Sequence, residues 1–380
     1  MKGLWIVVFC LLVLTAPGSA VGQPFAVTAE VGLLYDFDSG QVLFSQNPAT
    51  EWVPASIVKI MTMYVAFDHL ADGRVSLFDT VVVSERAWRM GGSQMFLEIG
   101  ETVTIEELLY GVAVVSGNDA CVALAEALAG TEELYVRWMN DKASEMGLNL
   151  RFADVHGLSD ENRVNAEDLV KLIRQYIQDH PVALEYHRRL SYGYQPRSRT
   201  EPIVQNNRNG LLRRYEGTDG LKTGFLSASG YNLVATAERE GRRLIAVVLG
   251  ASSERDRESD AVRLLDYGFR SFERVSLSEL LPQREARVYK GKQQSVLIQP
   301  SETSLSIPRG TLNSLQLNVN IDSLTAPLQV GQHVGTLVAV HDGQIFHSIS
   351  LTAAEAVDQG GLLRRAVDSL ILFFQQLVRR

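Results

Sequence analysis

The sequence predicts an α+β domain, then a small all-β domain, then a single amphipathic helix. Three observations carry this prediction. Strand-like alternation at residues 24–47 returns at 221–250 with helical patterns between, so the two ends of one domain are expected to meet in one sheet. Residues 274–355 are short alternating runs broken by Gly, Pro and Asn turns. Residues 360–380 sort their apolar and polar side chains onto opposite halves of a helical wheel.

The chain has 380 residues, 46% hydrophobic and 21% charged, an ordinary globular composition long enough for more than one domain. A formal net charge of -8 speaks against nucleic acid as a partner. Residues 1–20 read as a secretory signal peptide: Lys2, an apolar run over 4–14, then Pro17, Gly18, Ser19 and Ala20. The apolar run is short for a membrane span. Cys10 falls inside it, and Phe9 before it does not suit a lipoprotein cleavage site. The exported chain then keeps only Cys121, which excludes an internal disulfide and leaves the core to hold the fold.

The first domain spans 24–273. Residues 25–29, 32–36 and 41–44 read as strands, with a turn at Asp38, Ser39 and Gly40. Helical sequence runs from Pro54 to about Leu70. Thr104 to Glu107 is a capping box that opens a helix reaching about Val115. Residues 119–129 form another helix, stopped by Gly130. Thr131 opens a third that ends at Gly147, and Asn165 caps a fourth through Ile177. Strands are expected at 221–226, 231–238 and 242–250, the last two joined by a turn at Glu240 and Gly241, before a helix over about 256–272. The second domain, 274–355, has strand patterns at 285–289, 294–298, 315–321, 333–341 and 344–351, and no cluster of titratable residues that makes a site. In 360–380 the residues Leu362, Leu363, Ala366, Val367, Leu370, Ile371, Phe373, Phe374, Leu377 and Val378 share one half of the wheel. With arginines at both ends, this is the pattern of an interfacial helix; the plainer alternative is a helix packed on the protein's own core or on a second copy.

The chemistry concentrates in three short motifs. Lysine is far scarcer than arginine in this chain, yet Lys59 stands among Ile57, Val58, Ile60 and Met61. Burying an ammonium costs several kcal/mol, roughly, unless it is paired or neutralised. Ser56 lies one helical turn earlier, so both side chains fall on one face. Burial and a helix start at Pro54 both favour the neutral amine, which can take a proton from a hydroxyl. The second motif, Ser116, Gly117 and Asn118, sits in a break between two helices and reads either as an N-cap or as a proton relay plus an amide. The third, Lys222, Thr223 and Gly224, lies on a strand. It offers a cation, a hydroxyl and room for a substrate backbone, or alternatively an edge-strand lysine that blocks aggregation.

S-x-x-K, S-x-N and K-T-G in this order are the known signature of penicillin-recognising serine enzymes, so the assignment rests on recognition of a motif set. The chain resembles the low-molecular-mass penicillin-binding proteins, specifically the D-alanyl-D-alanine carboxypeptidases with a trailing β domain. Supporting stretches are residues 91–97, the run from Ser116 through Cys121, 155–158, 230–234 and 268–270. The resemblance implies a penicillin-binding/β-lactamase-like domain with a helical subdomain, a small all-β sandwich and a membrane-docking helix at 360–380. It implies Ser56 as nucleophile and Lys59 as its base. Ser116 and Asn118 are expected in proton relay and substrate-amide binding, and Lys222, Thr223 and Arg257 on the terminal carboxylate. Gly224 lets the substrate approach, and the amides of Ser56 and Phe225 form an oxyanion hole. The implied partners are a peptidoglycan stem peptide ending in D-Ala-D-Ala, β-lactams and a membrane surface, at the periplasmic face of the inner membrane. No cofactor is implied.

Phe225 and Leu226 depart from the family, which often has a polar residue and then Thr or Ser after K-T-G. His156 is expected to be structural, because a serine–lysine mechanism needs no histidine, and Cys121 to pack behind Asn118. The seven histidines are scattered without ligand spacing, so no metal is expected. Three rivals share these residues: a D,D-endopeptidase, a weak β-lactamase and a non-catalytic scaffold. The β-lactamase needs a deacylating carboxylate; Glu161 and Asn165 have a tempting spacing, but Asn165 reads better as a helix cap and Glu161 as a solvated loop residue.

Overall fold

A computed structural model describes residues 25–378. The signal-peptide segment 1–20, Cys10, and the closing Arg379 and Arg380 lie outside the described residues. Among the described residues the chain forms two compact units. One comprises 25–275 together with 304–309; the other comprises 276–303 and everything from 310 onward.

The first unit is built on a five-stranded antiparallel sheet in the order Val42–Gln46, Val31–Asp36, Arg242–Ala251, Gly230–Arg239, Thr218–Leu226. Strands from the beginning and the end of this unit pair directly, Leu34 opposite Ala246. Successive side chains alternate faces, which splits the core in two. Leu33, Ile245, Val247 and Leu249 join the helical subdomain on one face. Leu34, Leu244, Ala246 and Val248 meet Ala261, Leu264 and Leu265 of the helix Glu254–Ser271 on the other. The turn at Glu240 and Gly241 has φ of 51° and 70°, the doubly positive pair that fits a tight hairpin.

The helical predictions hold where a cap specifies them. Thr104 and Glu107 form both bonds of the capping box on Ile105–Ala113. Gly130 ends Asn118–Ala129 at φ 80°. Asn165 accepts from the Asp168 amide at 2.8 Å and caps Ala166–Asp179. Two expectations need correction. Residues 25–29 are not a strand; the Thr28 and Ala29 amides donate to Asp260 Oδ2, each at 2.9 Å, so side chains replace a ladder there. Pro54 does not begin an α-helix. A 3₁₀ turn, Ala55–Val58, comes first, and the α-helix Lys59–Ala71 begins at the lysine.

The strand Ser304–Pro308 pairs with Phe272–Ser276, although it lies within the run of residues predicted to form the β domain. Buried polar groups hold it. Asp36 Oδ2 accepts from Arg242 Nε at 2.8 Å and Ser306 Oγ at 2.6 Å, and Gln41 bonds the Ser306 amide at 2.6 Å. Alternation in sequence marks a strand but not the sheet it joins.

The second unit carries a six-stranded sheet in the order Gln316–Ile321, His333–His341, Gln344–Ala353, Ser295–Pro300, Glu285–Tyr289, Leu324–Thr325. Its long hairpin turns at Asp342 and Gly343, again with φ positive at both residues, 51° and 76°. The helix Leu362–Val378 closes this unit. Asp368 accepts from the Lys290 amide at 2.5 Å, and Gln375 bonds the Tyr289 hydroxyl at 3.1 Å. The helix therefore uses polar residues for its own contacts and leaves Leu370, Phe373 and Phe374 about 60% exposed, at 60%, 58% and 62%. The described apolar side chains Leu370, Phe373, Phe374 and Leu377 face outward and not into the protein's own core.

Arg242→Met should destabilise the first unit by about 3–5 kcal/mol in chemical denaturation, because it leaves Asp36 buried without its cation. The double variant Arg242→Met/Asp36→Asn should recover part of that loss.

Candidate active site

The three sequence motifs converge. The 3₁₀ turn presents Ser56, the first residue of the following helix is Lys59, and both lie at the sheet edge formed by Thr218–Leu226. The approach is close: a Cβ built on Gly224 would lie 2.6 Å from the Pro54 carbonyl oxygen and 3.1 Å from the Ser56 amide nitrogen. Only glycine admits that backbone contact. Asn232, on the neighbouring strand, holds the turn in place. Its Nδ2 donates to the Pro54 carbonyl at 3.3 Å, and its Oδ1 accepts from the Gly250 amide at 2.9 Å. Ala55 takes φ 52° within the turn, a strained value for a residue with a Cβ.

Lys59 is fully buried, and its Nζ has three neighbours. They are Asn118 Oδ1 at 2.7 Å, the His156 carbonyl at 2.5 Å and Ser56 Oγ at 3.0 Å. The first two can only accept. A neutral amine has two hydrogens and one lone pair, so two obligate acceptors leave the lone pair directed at Ser56. Burial holds the Lys59 pKa below its ordinary value, against the partly opposing fields of Cys121, Asp154 and Asp119. The Asn118 orientation is fixed in the same way. Its Nδ2 donates to the Gly91 carbonyl at 2.7 Å, which leaves Oδ1 for the lysine.

Asn118 and Ser116 are not helix caps. The helix Asn118–Ala129 begins from Gly117 with no side-chain cap bond. Ser116 sits at φ 61° and lines the cleft. The neighbouring Asp119 accepts from the amides of Met95 at 2.8 Å, Phe96 at 2.9 Å and Leu97 at 3.1 Å, tying the flanking loop to the motif. His156 enters the site through its carbonyl. Its ring Nδ1 accepts from the Leu158 amide at 3.2 Å, and burial lowers its pKa. Gly157 follows at φ 87°, where a Cβ would meet the Ala55 carbonyl oxygen at 2.0 Å.

Lys222 is buried although its strand is at the sheet edge, so it does not guard that edge. Its Nζ reaches the Thr223 carbonyl at 3.2 Å. Burial pushes its pKa well down, and the nearby guanidiniums of Arg208 and Arg257 add to this. Thr223, Gly224, Phe225 and Arg257 line one cleft of about 810 Å³ with Ser56, Ser116 and Asn118. Arg208, Arg214, Glu254 and Glu258 also line it, and the sequence motifs did not point to them. They come from a loop and two helices, Leu211–Arg214 and Glu254–Ser271, whose charged residues look like any solvated surface. The exposed ring of Phe225 packs on Tyr231 with centroids 4.4 Å apart. Glu161 is exposed and Asn165 caps its helix, as expected. Among the described residues no group of His, Cys, Asp and Glu has the arrangement to hold a metal.

The family profile described as D-alanyl-D-alanine carboxypeptidase matches residues 18–253. The chain belongs to this family. A second profile, the C-terminal domain of penicillin-binding protein 5, matches 278–359. The chain is 37% identical over 366 residues to the D-alanyl-D-alanine carboxypeptidase DacC of Escherichia coli K12, covering 92% of this chain and 90% of that one. Among solved structures it is similar to penicillin-binding protein 5 from Haemophilus influenzae, with TM-score 0.79 and 34% identity over 88% of this chain and 99% of the other. Penicillin-binding protein D2 from Listeria monocytogenes, in its ampicillin-bound form, matches with TM-score 0.58 and 25% identity over 65% of this chain and 99% of its own. The activity that goes with this membership is serine-type D-alanyl-D-alanine carboxypeptidase, in a penicillin-binding fold followed by a β domain; the endopeptidase and β-lactamase readings are not favoured.

Cys121, fully buried with its thiol pushed up to about 12 by that burial, should resist iodoacetamide in the native protein at pH 8 and react once denaturant is added. Mass spectrometry of the modified peptide reads both outcomes.

Proposed function

We propose that Ser56 is the nucleophile of this carboxypeptidase and that neutral Lys59 is its general base. The observation that carries the reading is the pair of acceptors, Asn118 Oδ1 and the His156 carbonyl, which leave the Lys59 lone pair for the Ser56 hydroxyl. Lys59 takes the hydroxyl proton as Ser56 Oγ bonds to the carbonyl carbon between the two D-alanines. The amides of Ser56 and Phe225 hold the oxyanion. Collapse breaks the C–N bond, and D-alanine leaves with a proton relayed through Ser116. Water then cleaves the acyl-serine. The second Nδ2 hydrogen of Asn118 holds a substrate carbonyl. Lys222, Thr223 and Arg257 take the terminal carboxylate, whose charge restores the ammonium form of Lys222. A β-lactam acylates the same serine.

The unit that begins near residue 24 works, on this reading, after export and removal of residues 1–20, with no nucleic-acid partner. The exposed apolar face of Leu362–Val378 supports peripheral attachment to the periplasmic face of the inner membrane. Among the described residues no helix is long and apolar enough to cross a membrane. The catalytic domain is taken as 24–273 and the β domain as 274–355.

The test offers monomeric pentapeptide muropeptides and crosslinked dimers to the protein beside Ser56→Ala. Release of D-alanine from pentapeptide alone, lost in Ser56→Ala, is expected; cleaved dimers would move the assignment to an endopeptidase. Because the Lys59 pKa is lowered, its free base forms at lower pH than that of an ordinary lysine. The penicillin acylation rate should therefore rise with pH to a plateau reached below 10.5, and Lys59→Ala should lower it by about 10²–10⁴-fold. A chain ending at Gly360 should leave the membrane fraction for the soluble one at physiological salt, while the full chain stays bound.

A further inference from the structure

Arg257 enters the cleft already engaged. Its side chain is only 4% exposed, and its Nη2 bonds Glu254 Oε1 at 2.9 Å, with Glu258 Oε1 at 3.9 Å. Its buried Nε has no partner. Glu258 is committed elsewhere, because it pairs with Arg214. Glu254 differs from both: its side chain is 63% exposed, one helical turn from Arg257, and lines the same cleft. Tyr231 lies under the guanidinium, 5.8 Å from its centre, and Phe225 packs on Tyr231. The arginine is thus backed by the Tyr231 ring and held at Nη2 by one solvated carboxylate.

We propose that Glu254 is a built-in rival for the carboxylate site: it occupies the Arg257 guanidinium in the empty cleft and must be displaced by a ligand carboxylate. It is a positioning residue that sets how strongly the enzyme prefers carboxylate-ended ligands, and it acts through Arg257. The chemistry is direct. A guanidinium binds carboxylates best with two parallel N–H bonds from one edge. Glu254 holds one nitrogen of the edge that also contains the unpartnered Nε. Glu254 itself is largely solvated, so water takes over its carboxylate when it leaves, and an incoming ligand carboxylate replaces it on the buried guanidinium. The outer end of the cleft therefore carries two arginines balanced by two glutamates, Arg214 and Arg257 against Glu254 and Glu258. Arg208 also lines the cleft. With Phe225 and Leu226 in place of polar residues after K-T-G, selectivity for the carboxylate is moderated from both sides.

This inference rests on the proposed role of Arg257, and the experiment separates the two. The full-length protein, Glu254→Gln, Arg257→Gln and the double variant are acylated with benzylpenicillin and with its methyl ester, which lacks the carboxylate. The readout is the ratio of the second-order acylation rates, acid over ester. Glu254→Gln should raise the ratio about two- to fivefold, the scale of one ion pair whose carboxylate is solvated. Arg257→Gln should lower it, and adding Glu254→Gln to Arg257→Gln should change nothing more. A ratio that falls or stays level in Glu254→Gln overturns the proposal and makes Glu254 a support for Arg257. A rise that persists without Arg257 overturns it as well. An unchanged ratio in Arg257→Gln instead removes Arg257 from carboxylate recognition, and the reading of Glu254 with it.

Discussion

On the proposed mechanism, the chemistry of this protein depends on one buried amine with two acceptors that cannot donate. Lys59 is fully buried, and its Nζ bonds Asn118 Oδ1, the His156 carbonyl and Ser56 Oγ. Burial disfavours the ammonium, and the two acceptors consume the hydrogens of the free amine. Much of the first unit can be understood as what holds those two acceptors still. Gly91 fixes the Asn118 amide. Asp119 fixes the loop that carries Gly91 through three consecutive amides. Asp154 accepts from the amides of His156 at 3.1 Å and Gly157 at 2.5 Å, which shapes the turn that presents the His156 carbonyl.

The serine is held from the opposite side. The strand Thr218–Leu226 presses its backbone against the 3₁₀ turn at Gly224, and Asn232 ties that turn to the sheet. The positive φ values at Ala55, 52°, and Ser116, 61°, lie at the points where chain segments cross into the cleft. Such strain persists only where the surroundings over-determine it. The large two-sided core, with helices on one sheet face and Glu254–Ser271 on the other, provides that constraint.

The C-terminal helix follows a different logic. An amphipathic segment ordinarily hides its apolar face, yet this one anchors itself through Asp368 and Gln375 and leaves Leu370, Phe373 and Phe374 outward. The cost of exposing that surface to water is a reason to expect a nonaqueous phase against it.

The sequence by itself determined the fold class, the capped helices, the hairpins and the three motifs, because each is written in local terms: a period of two or 3.6, a capping side chain, a doubly positive turn, or a serine and a lysine one turn apart. It showed neither the 304–308 strand nor the sheet that strand joins, nor that residues 25–29 satisfy their amides on Asp260 in place of a strand, because partner choice depends on long-range contacts. It also missed the backbone carbonyls of His156 and Gly91, and the cleft charges Arg208, Arg214, Glu254 and Glu258. A carbonyl is the same at every position in a chain, and a charged residue on a helix reads as solvated. Only the tertiary structure decides which carbonyl meets a lysine and which charge faces a cleft, because those depend on segments far apart in sequence packing to within hydrogen-bond distance.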